Sequence, residues 1–490
     1  MRKFRFLIAI FSLIFLISCQ TNPPINEDNN QSNLYTLNDF FSLDNYLKLE
    51  IIMSDNELEA LNQDYFDFLS INSKSPIYRQ CDIRITINDE KYEFTEVGIR
   101  MKGNTSRRPF YSKEEGIYDL IHYKISFTET FDDANIYQKP KKWDKEAREK
   151  RKTRTFLGMK KLDLKWNKNF DATHVREIYA YNLFRQNGIL APLMNLTQVL
   201  MNNQNLGVFT IYEVIDEFFL KRNLSEENIG GDLYKVGWNA TDGGALTTII
   251  DNSVIGIEDE FKAYFPIYDL KTNKKISNHQ LLNNLINSLN EEDAETLNQR
   301  IEEIIDIQYW TMFEAISYLV GNPDDIRNHY NNYYLYFLKS TNQAIIIPYD
   351  YDRVLGINRD WNPTGDGMTS HNPDTLQTTM GYHQLQRNPL YTKVLLNANS
   401  IWNQLYHKKI KQLLTNHQFE ISAFMPYYET AKEKYRLVVK PSLKKLSNHY
   451  IDFYLDEAHE LNLTNQNITI TLYFEYKRQV ALNYVNAINK

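Results

Sequence analysis

The chain has 490 residues, of which 42% are hydrophobic and 24% charged, and this balance is typical of a globular protein. Its formal net charge is −7 at pH 7, because 62 acidic residues outnumber 55 Lys and Arg residues. Nucleic-acid-binding proteins are usually basic, so the composition predicts no nucleic-acid partner. A chain of this length can bury a sizeable core in one large domain or two ordinary ones.

The first residues have the pattern of a bacterial lipoprotein signal peptide. Three basic residues among the first five precede an apolar run, Phe6–Ile17, that is short for a membrane span. The run ends in the letters LISC, which resemble a lipobox, so we predict a signal peptide at 1–18 and lipidation of Cys19. An ordinary signal peptide with a chance cysteine is the alternative. The polar residues 19–33 cannot bury enough apolar surface to fold, and they predict a disordered tether.

These features predict a protein of the bacterial cell envelope. It would lie outside the cytoplasm and be anchored in a lipid membrane through the acylated Cys19.

Residues 34–216 are predicted to be rich in β-strands. Apolar and polar residues alternate in several short runs, and turn-forming residues separate them. Ser54 followed by Glu57 predicts the start of a helix, and Asp171 predicts the start of another that runs to about Gln186. The predicted strands are Tyr46–Met53, Cys81–Ile87, Tyr92–Met101, His122–Phe127, Lys161–Leu164, Thr197–Met201 and Gly207–Val214.

The segment Thr128–Arg154 interrupts this pattern with a dense run of basic residues and interleaved acids. We interpret it as an inserted loop that is partly helical and presents a solvated face. Docking of an acidic partner or an anionic surface is the alternative.

The second half is predicted to be mainly helical. Asp232–Val236 is a small strand, and Ile301–Leu319 is a strongly apolar helix. Asn358–Gln386 is a long polar loop, and Leu390–Lys490 is mainly helical.

The segment Asn322–Gly356 holds two polar clusters separated by two strand-like runs. Asp324 and Asp325, followed by Asn331 and Asn332, form the first cluster; Asp350 and Asp352 form the second. A hairpin would bring both clusters to one end of one sheet. Two carboxylates two residues apart on an extended segment point to one face and suit a hard cation, although an acidic turn after a buried strand is the alternative.

This arrangement is one that phosphoryl transfer requires. One carboxylate orients the acceptor hydroxyl, while an asparagine and a second aspartate hold the metal–phosphate complex. A lysine on a strand that contacts the phosphates and pairs with a helix glutamate completes such a site. Lys124 and Glu177 are the candidates for that pair, with Lys102 and Lys161 as competing lysines. An exposed strand lysine and a surface glutamate are the alternative interpretation.

Eight segments in order resemble the CotH kinase family, a family of atypical protein kinases named for a spore coat protein. The resemblance covers most of the chain, from about Tyr46 to the mid-400s. The segments are Gly98–Arg107, His122–Phe127, Lys160–Trp166, His174–Pro192, Gly207–Leu220, Asp232–Val236, Asn331–Tyr336 and Ile346–Gly356.

The resemblance implies an α+β chain with a bilobal protein-kinase-like fold. The β-rich N-lobe would be 34–216, with the basic insertion at 128–154. The mainly helical C-lobe would be 217–490 and would carry the acidic catalytic hairpin. ATP and a divalent metal, Mg²⁺ or Mn²⁺, would bind between the lobes.

The resemblance also implies roles for single residues. Lys124 and Glu177 would be the phosphate-contacting pair, and Tyr212–Ile215, with Glu213, would be the hinge facing adenine. Asp324 would be the catalytic carboxylate, with Asp325 as a close rival. The metal ligands would be Asp350, Asp352 and Asn331 or Asn332.

The function implied is transfer of the γ-phosphoryl group of ATP to Ser or Thr hydroxyls of an unidentified protein substrate. The alternative is a catalytically inactive binding or assembly protein at the cell surface that uses the same scaffold. Transfer of AMP instead of phosphate is a third possibility.

Overall fold

The computed structural model describes most of the chain after the N-terminal segment, namely residues 34–238, 243–249, 254–357, 365–375, 388–443, 445–446, 450–456 and 468–488. The predicted signal peptide, Cys19 and the tether lie outside the described residues, as does most of the polar loop predicted for 358–386. Among the helices within the described ranges, none has the length and apolar character needed to cross a membrane.

Seven strands of the N-terminal half form a closed barrel in the order β1-β2-β3-β6-β7-β9-β8. Neighbouring strands are antiparallel except β1 and β8, which run parallel and close the barrel. A small separate ribbon is formed by β4 and β5. The strands are β1 (Leu47–Ile52), β2 (Arg79–Ile87), β3 (Glu90–Lys102), β4 (Tyr111–Ser112), β5 (Ile117–Tyr118), β6 (His122–Ser126), β7 (Lys161–Trp166), β8 (Met194–Met201) and β9 (Gln204–Glu213).

Alternation along the strands separates an apolar barrel core from a charged outer face. On β7, Leu162, Leu164 and Trp166 belong to the buried core. The side chains between them, including Asp163 and Lys165, therefore point to the opposite face. This outer face carries the charged groups of the candidate site.

Five more strands form a second sheet in the order β11-β12-β10-β13-β14. The β13–β14 hairpin pairs Tyr333 with Pro348 and Phe337 with Ala344, which confirms the hairpin predicted within Asn322–Gly356. The strands are β10 (Leu233–Val236), β11 (Ile255–Gly256), β12 (Tyr268–Leu270), β13 (Tyr333–Phe337) and β14 (Ala344–Pro348).

The helices pack around this second sheet and beside the barrel. They are α1 (Leu37–Phe40), α2 (Asp55–Ser70), α3 (Lys145–Thr153), α4 (Arg176–Gln186), α5 (Glu217–Asn223), α6 (Gln280–Glu291), α7 (Ala294–Ile304), α8 (Ile307–Val320), α9 (Ile401–Thr415), α10 (Ile421–Tyr435) and α11 (Ile470–Ala487).

Three helix starts show how local chemistry sets the boundaries. Ser54 caps α2, and its hydroxyl accepts the Glu57 N–H at 3.4 Å, as predicted. The helix predicted to begin after Asp171 begins only at Arg176, because the Asp171 carboxylate accepts the Arg176 N–H at 3.0 Å and first stabilises a turn. The single helix predicted at Ile301–Leu319 is divided into α7 and α8, since Ile305 leaves the helix to form a bridge with Ala344.

The prediction of a mixed α+β chain is confirmed, but the prediction of a bilobal protein-kinase-like fold was wrong. β1 pairs with β8 as well as with β2, so the β-rich half is a closed barrel rather than an open N-lobe sheet. The half predicted to be mainly helical contains a five-stranded sheet. Both differences arise from strand pairings that the order of elements along the chain does not specify.

The basic insertion is partly helical, as predicted, but much of its charge is bound within the molecule. The guanidinium of Arg151, near the end of α3, donates to the Glu129 carbonyl at 2.6 Å. Arg154 donates to the carbonyls of Phe127 and Thr95, each at 2.7 Å. These side chains hold the insertion against the barrel, so they do not belong to a solvated face.

Candidate active site

The centre of the candidate site is Lys165, on the outer face of β7. Its ammonium lies 3.2 Å from the nearer carboxylate oxygen of Glu177, on α4, and 3.1 Å from the carboxylate of Asp352. It also forms an ion pair with Asp350. One buried lysine therefore joins three carboxylates that come from the helix beside the barrel and from the loop after β14.

Electrostatics keeps Lys165 and Asp350 charged despite their burial. Burial opposes the Lys165 ammonium, but the three carboxylates outweigh it and hold the pKa of Lys165 well above its usual range. Burial also opposes ionisation of Asp350, yet Lys165 keeps the pKa of that carboxyl below its usual range. Burial dominates at Glu177 and raises its pKa to about 7. Proton and charge balance in the cluster thus depends on Lys165.

Asp324 lies in the loop between α8 and β13, where it is partly exposed. Its carboxylate accepts the side-chain N–H of Asn331 at 3.0 Å, and its carbonyl accepts that of Asn332 at 3.0 Å. Burial raises the pKa of Asp324 to about 7 despite the Asn331 hydrogen bond. The group is therefore poised to take or release a proton near neutral pH.

Asp325 has a different environment, although it is the next residue. Its side chain is buried, and it accepts the Ser317 hydroxyl at 2.6 Å and the Asn328 N–H at 2.9 Å. These contacts hold the loop in shape and occupy both carboxylate oxygens. Of the two neighbours, Asp324 is therefore the one whose side chain is partly exposed.

The β13–β14 hairpin connects the Asp324 loop with Asp350. The Tyr349 N–H donates to the Asn332 carbonyl at 3.2 Å, so the residues just outside the two strands are held together. Asn332 and Asp350 both have positive φ, at 54° and 56°. Such backbone conformations are costly for residues other than glycine and often occur at functional sites. The predicted meeting of the two polar clusters at one end of this hairpin is observed.

Lys124 does not contact Glu177 in this structure. Its ammonium lies 3.2 Å from Asp163 on β7, and the competing Lys102 binds the same carboxylate at 2.7 Å. Lys165, which was not among the lysines considered, forms the pair with Glu177. The sequence did contain a signal for it, because the alternation of Lys161, Asp163 and Lys165 with Leu162, Leu164 and Trp166 continues two residues past the predicted strand Lys161–Leu164.

Glu213, predicted in the hinge, is buried at the end of β9. One carboxylate oxygen accepts the Arg222 guanidinium at 3.0 Å, and the other accepts the Leu193 N–H at 3.2 Å. These contacts tie β9 to α5 and to the start of β8. Both oxygens are engaged within the protein, so the side chain has a structural role in this arrangement.

The residues predicted to bind a metal fit a cation that is shared with a phosphate. Within the described ranges, no three or more His, Cys, Asp or Glu side chains are grouped to hold a metal ion alone. Mg²⁺, however, is often held by one or two carboxylates together with water and substrate phosphates. Asp350, Asp352 and the amide of Asn331 or Asn332 offer oxygen ligands of this kind. The metal site stays a prediction.

Two comparisons with known proteins agree with the resemblance seen in the motifs. Inner spore coat protein H of Bacillus subtilis (strain 168) is 26% identical over 206 residues, which are 41% of this chain and 52% of that protein. The chain thus matches about half the length of this relative. The family described as CotH kinase protein matches residues 99–468, a range that includes Lys165, Asp324 and Asp350. Because this match spans well over half of the sequence, the chain belongs to the CotH kinase protein family.

Proposed function

We propose that the chain is an ATP-dependent phosphotransferase, an atypical protein kinase that transfers the γ-phosphoryl group of ATP to Ser or Thr hydroxyls of a protein. The observation that carries the proposal is the joining of Glu177, Asp350 and Asp352 by Lys165, next to Asp324. Family membership supports the same chemistry.

Each residue would act by position and charge. Lys165 would bind phosphate oxygens, and Glu177 would orient its ammonium, as a strand lysine and helix glutamate do in kinases. Asp324 would orient the acceptor hydroxyl and accept its proton, for which a pKa of about 7, raised by burial, is well suited. A bound Mg²⁺ or Mn²⁺ would neutralise phosphate charge, with Asp350, Asp352 and Asn331 or Asn332 as the side chains that hold it.

Binding of ATP would require the cluster to rearrange. The Lys165 ammonium is shared by three carboxylates, so a phosphate must replace at least one of them as its partner. Asp350 is one of the two carboxylates proposed to hold the metal, and in that role it would release Lys165 to bind phosphate oxygens. Exchange of one ion pair for two others keeps the buried charges compensated.

For the location we propose the bacterial cell envelope, outside the cytoplasm, with a lipid anchor at Cys19. The relative is named as a protein of the inner spore coat, and its similarity supports a surface-associated role here. The lipobox-like sequence before Cys19 supports the anchor.

The proposal is tested by label transfer from γ-labelled ATP to a generic Ser/Thr acceptor, using the purified full chain with Mg²⁺ or Mn²⁺. We expect transfer by the wild type and a loss of at least about 100-fold in Asp350→Asn and in Asp324→Asn. Asp89→Asn, in the exposed turn between β2 and β3, is the matched control and should transfer normally.

Two other results would redirect the proposal. Labelling from α-labelled but not γ-labelled ATP would indicate AMP transfer. Absence of any label, with no rise in melting temperature on addition of nucleotide, would refute the enzyme and favour a binding or assembly protein.

A further inference from the structure

A basic segment, residues 432–440, lies at the end of α10 in a chain that is acidic as a whole. It contains four Lys or Arg residues and one acid, Glu433, whereas the whole chain has a net charge of −7. The four are Lys432, Lys434, Arg436 and Lys440. Positive charge is therefore concentrated on this segment, against the balance of the rest of the protein.

Most of this charge is not neutralised by the protein itself. Lys432 donates to the hydroxyl of Tyr428 at 3.2 Å, whereas Arg436 and Lys440 are exposed. Among the described residues, Lys434, Arg436 and Lys440 form no ion pair. Charged side chains in water commonly have no partner, so the charge alone does not identify a binding surface.

An exposed leucine in the same segment is the second feature. Leu437 is 87% exposed, although the backbone beside it is held in place. The side-chain amide of Asn205, at the start of β9, donates to the carbonyls of Val438 at 2.9 Å and Lys440 at 2.8 Å. Val439 is buried in the core. The fold thus fixes a turn that presents one leucine to solvent among cations, and this combination is typical of surfaces that bind the interface of an anionic membrane.

The basic segment lies beside the first described residues of the chain. Asn195, near the start of β8, donates to the carbonyls of Phe40 at 3.0 Å and Ser42 at 2.8 Å. The next residue, Leu196, accepts the hydroxyl of Tyr435, the last residue of α10, at 2.7 Å. The N-terminal residues and the basic segment therefore meet on the same strand.

This position suits a chain that is anchored through Cys19, the location proposed above. From Cys19 to Leu34 the chain can span at most about 50 Å, even when fully extended. A lipid anchor would therefore keep the basic segment close to a membrane, at a high effective concentration. The anchor limits the distance from the membrane, and a second contact would set the orientation of the protein.

We propose that the basic segment, with Leu437 in its exposed turn, is a docking surface for an anionic lipid membrane. Arg436 and Lys440 bind the phosphate groups of the lipids, and Leu437 enters the boundary between headgroups and acyl chains. Docking turns this side of the barrel, where the N-terminal residues also lie, towards the membrane. The inference rests on the proposed location and not on phosphoryl transfer.

The test measures binding of the full chain to vesicles of phosphatidylglycerol mixed equally with phosphatidylcholine. The chain carries Cys19→Ser, so that no acyl chain at this position contributes, and all variants share residues 1–33. Arg436→Gln combined with Lys440→Gln should weaken binding about 25-fold, since each cation near an anionic surface contributes about fivefold. Leu437→Gln should weaken it about tenfold, because a buried leucine side chain is lost. These exposed substitutions should leave the melting temperature unchanged.

The matched control removes the same charge from another helix. Lys408 and Lys411 are exposed on α9, and Lys408→Gln combined with Lys411→Gln should bind like the wild type. Equal weakening by both pairs of substitutions would overturn the proposal, because it would show an effect of net charge alone. Unchanged binding in all variants, or equal binding to vesicles of phosphatidylcholine alone, would also overturn it. A chain that binds no vesicles would refute membrane docking in favour of an acidic protein partner.

A probe at Leu437 reports the contact directly. An environment-sensitive dye on Leu437→Cys should shift its emission to the blue when anionic vesicles are added, and about 0.5 M salt should reverse the shift. Cys81 is buried and should not be labelled. Ile276→Cys is the matched position, since Ile276 is 81% exposed, and its dye should not respond. Absence of a shift at Leu437 in a chain that binds the vesicles would overturn the proposal.

The docking surface can be separated from the other proposals. Absence of label transfer from ATP would refute the proposed function and leave docking intact. Retained palmitate labelling after Cys19→Ser would refute the anchor at that residue, whereas a dye shift at Leu437 would still establish the docking surface.

Discussion

Replacing Lys165 with Met tests whether one ammonium group holds the candidate site together. Methionine keeps an unbranched apolar stem but removes the charge shared by Glu177, Asp350 and Asp352. The Lys165 and Glu177 side chains are 8% and 13% exposed, whereas that of Asp350 is 39% exposed and is partly compensated by water. Loss of one partner from a buried ion pair costs about 3–5 kcal/mol, and with this exposure we expect about 3 kcal/mol.

The assay is the free energy of unfolding from urea denaturation at neutral pH. Lys161→Met is the matched control, because Lys161 lies on the same strand and face and forms no ion pair within the described part of the chain. It should cost less than about 0.5 kcal/mol, as surface substitutions usually do. Adding Asp352→Asn to Lys165→Met should recover about 1 kcal/mol, since it removes one uncompensated carboxylate.

Two outcomes would refute this reasoning. A loss below about 1 kcal/mol for Lys165→Met would mean that the carboxylates do not depend on its charge. Equal stability of the single and double variants would mean that Asp352 is not coupled to Lys165. Lys165→Arg adds a functional readout, because it keeps the charge but changes the donor geometry. We expect it to remain folded and to lose label transfer.

Further predictions concern Asp324, Asp325 and Cys19. Asp325→Asn should lower the free energy of unfolding by about 1–3 kcal/mol, because it disturbs the bonds from Ser317 and Asn328, whereas Asp324→Asn should abolish transfer at little cost in stability. Burial raises the pKa of Asp324 to about 7, so kcat/KM should rise with pH up to about 7 and then level off. In the unfolded chain the pKa of Asp324 is lower, near 3.8. The stability of the wild type relative to Asp324→Asn should therefore fall as the pH rises from about 3.8 through about 7. A difference in melting temperature that stays constant over this pH range would contradict the assignment. Cys19→Ser should abolish incorporation of labelled palmitate in cells, and retained labelling would exclude Cys19 as the acylated residue.

The parts of the fold that could be predicted from the sequence are those in which short turns join neighbouring strands. The hairpins β2–β3, β8–β9 and β13–β14 were anticipated from alternation and turn residues. Closure of the barrel was not anticipated, because it depends on the parallel pairing of β1 with β8. This pairing places Lys48 beside Gln198, which are separated by most of the N-terminal half of the chain. Local propensity carries no information about a pairing over such a distance.

The candidate site divides in the same way. Asp324 and Asp350 were placed together correctly, since one hairpin connects their loops. The lysine partner of Glu177 was predicted wrongly. Several strands contain a lysine, and only the order of strands in the sheet decides which lysine lies beside α4. Lys165 does so from β7, and Lys124, one strand away on β6, meets Asp163 instead.

The register of β7 determines both charged clusters at once. Its alternate residues Leu162, Leu164 and Trp166 fill the barrel core, and this packing fixes Asp163 and Lys165 on the outer face. A shift of one residue would bury both charges in an apolar core and place three large apolar side chains among the charged groups, which is strongly unfavourable. The apolar core therefore holds a lysine among carboxylates and an aspartate among lysines about 7 Å apart. A single strand thus positions both charged clusters, Lys165 with its three carboxylates and Asp163 with its two lysines.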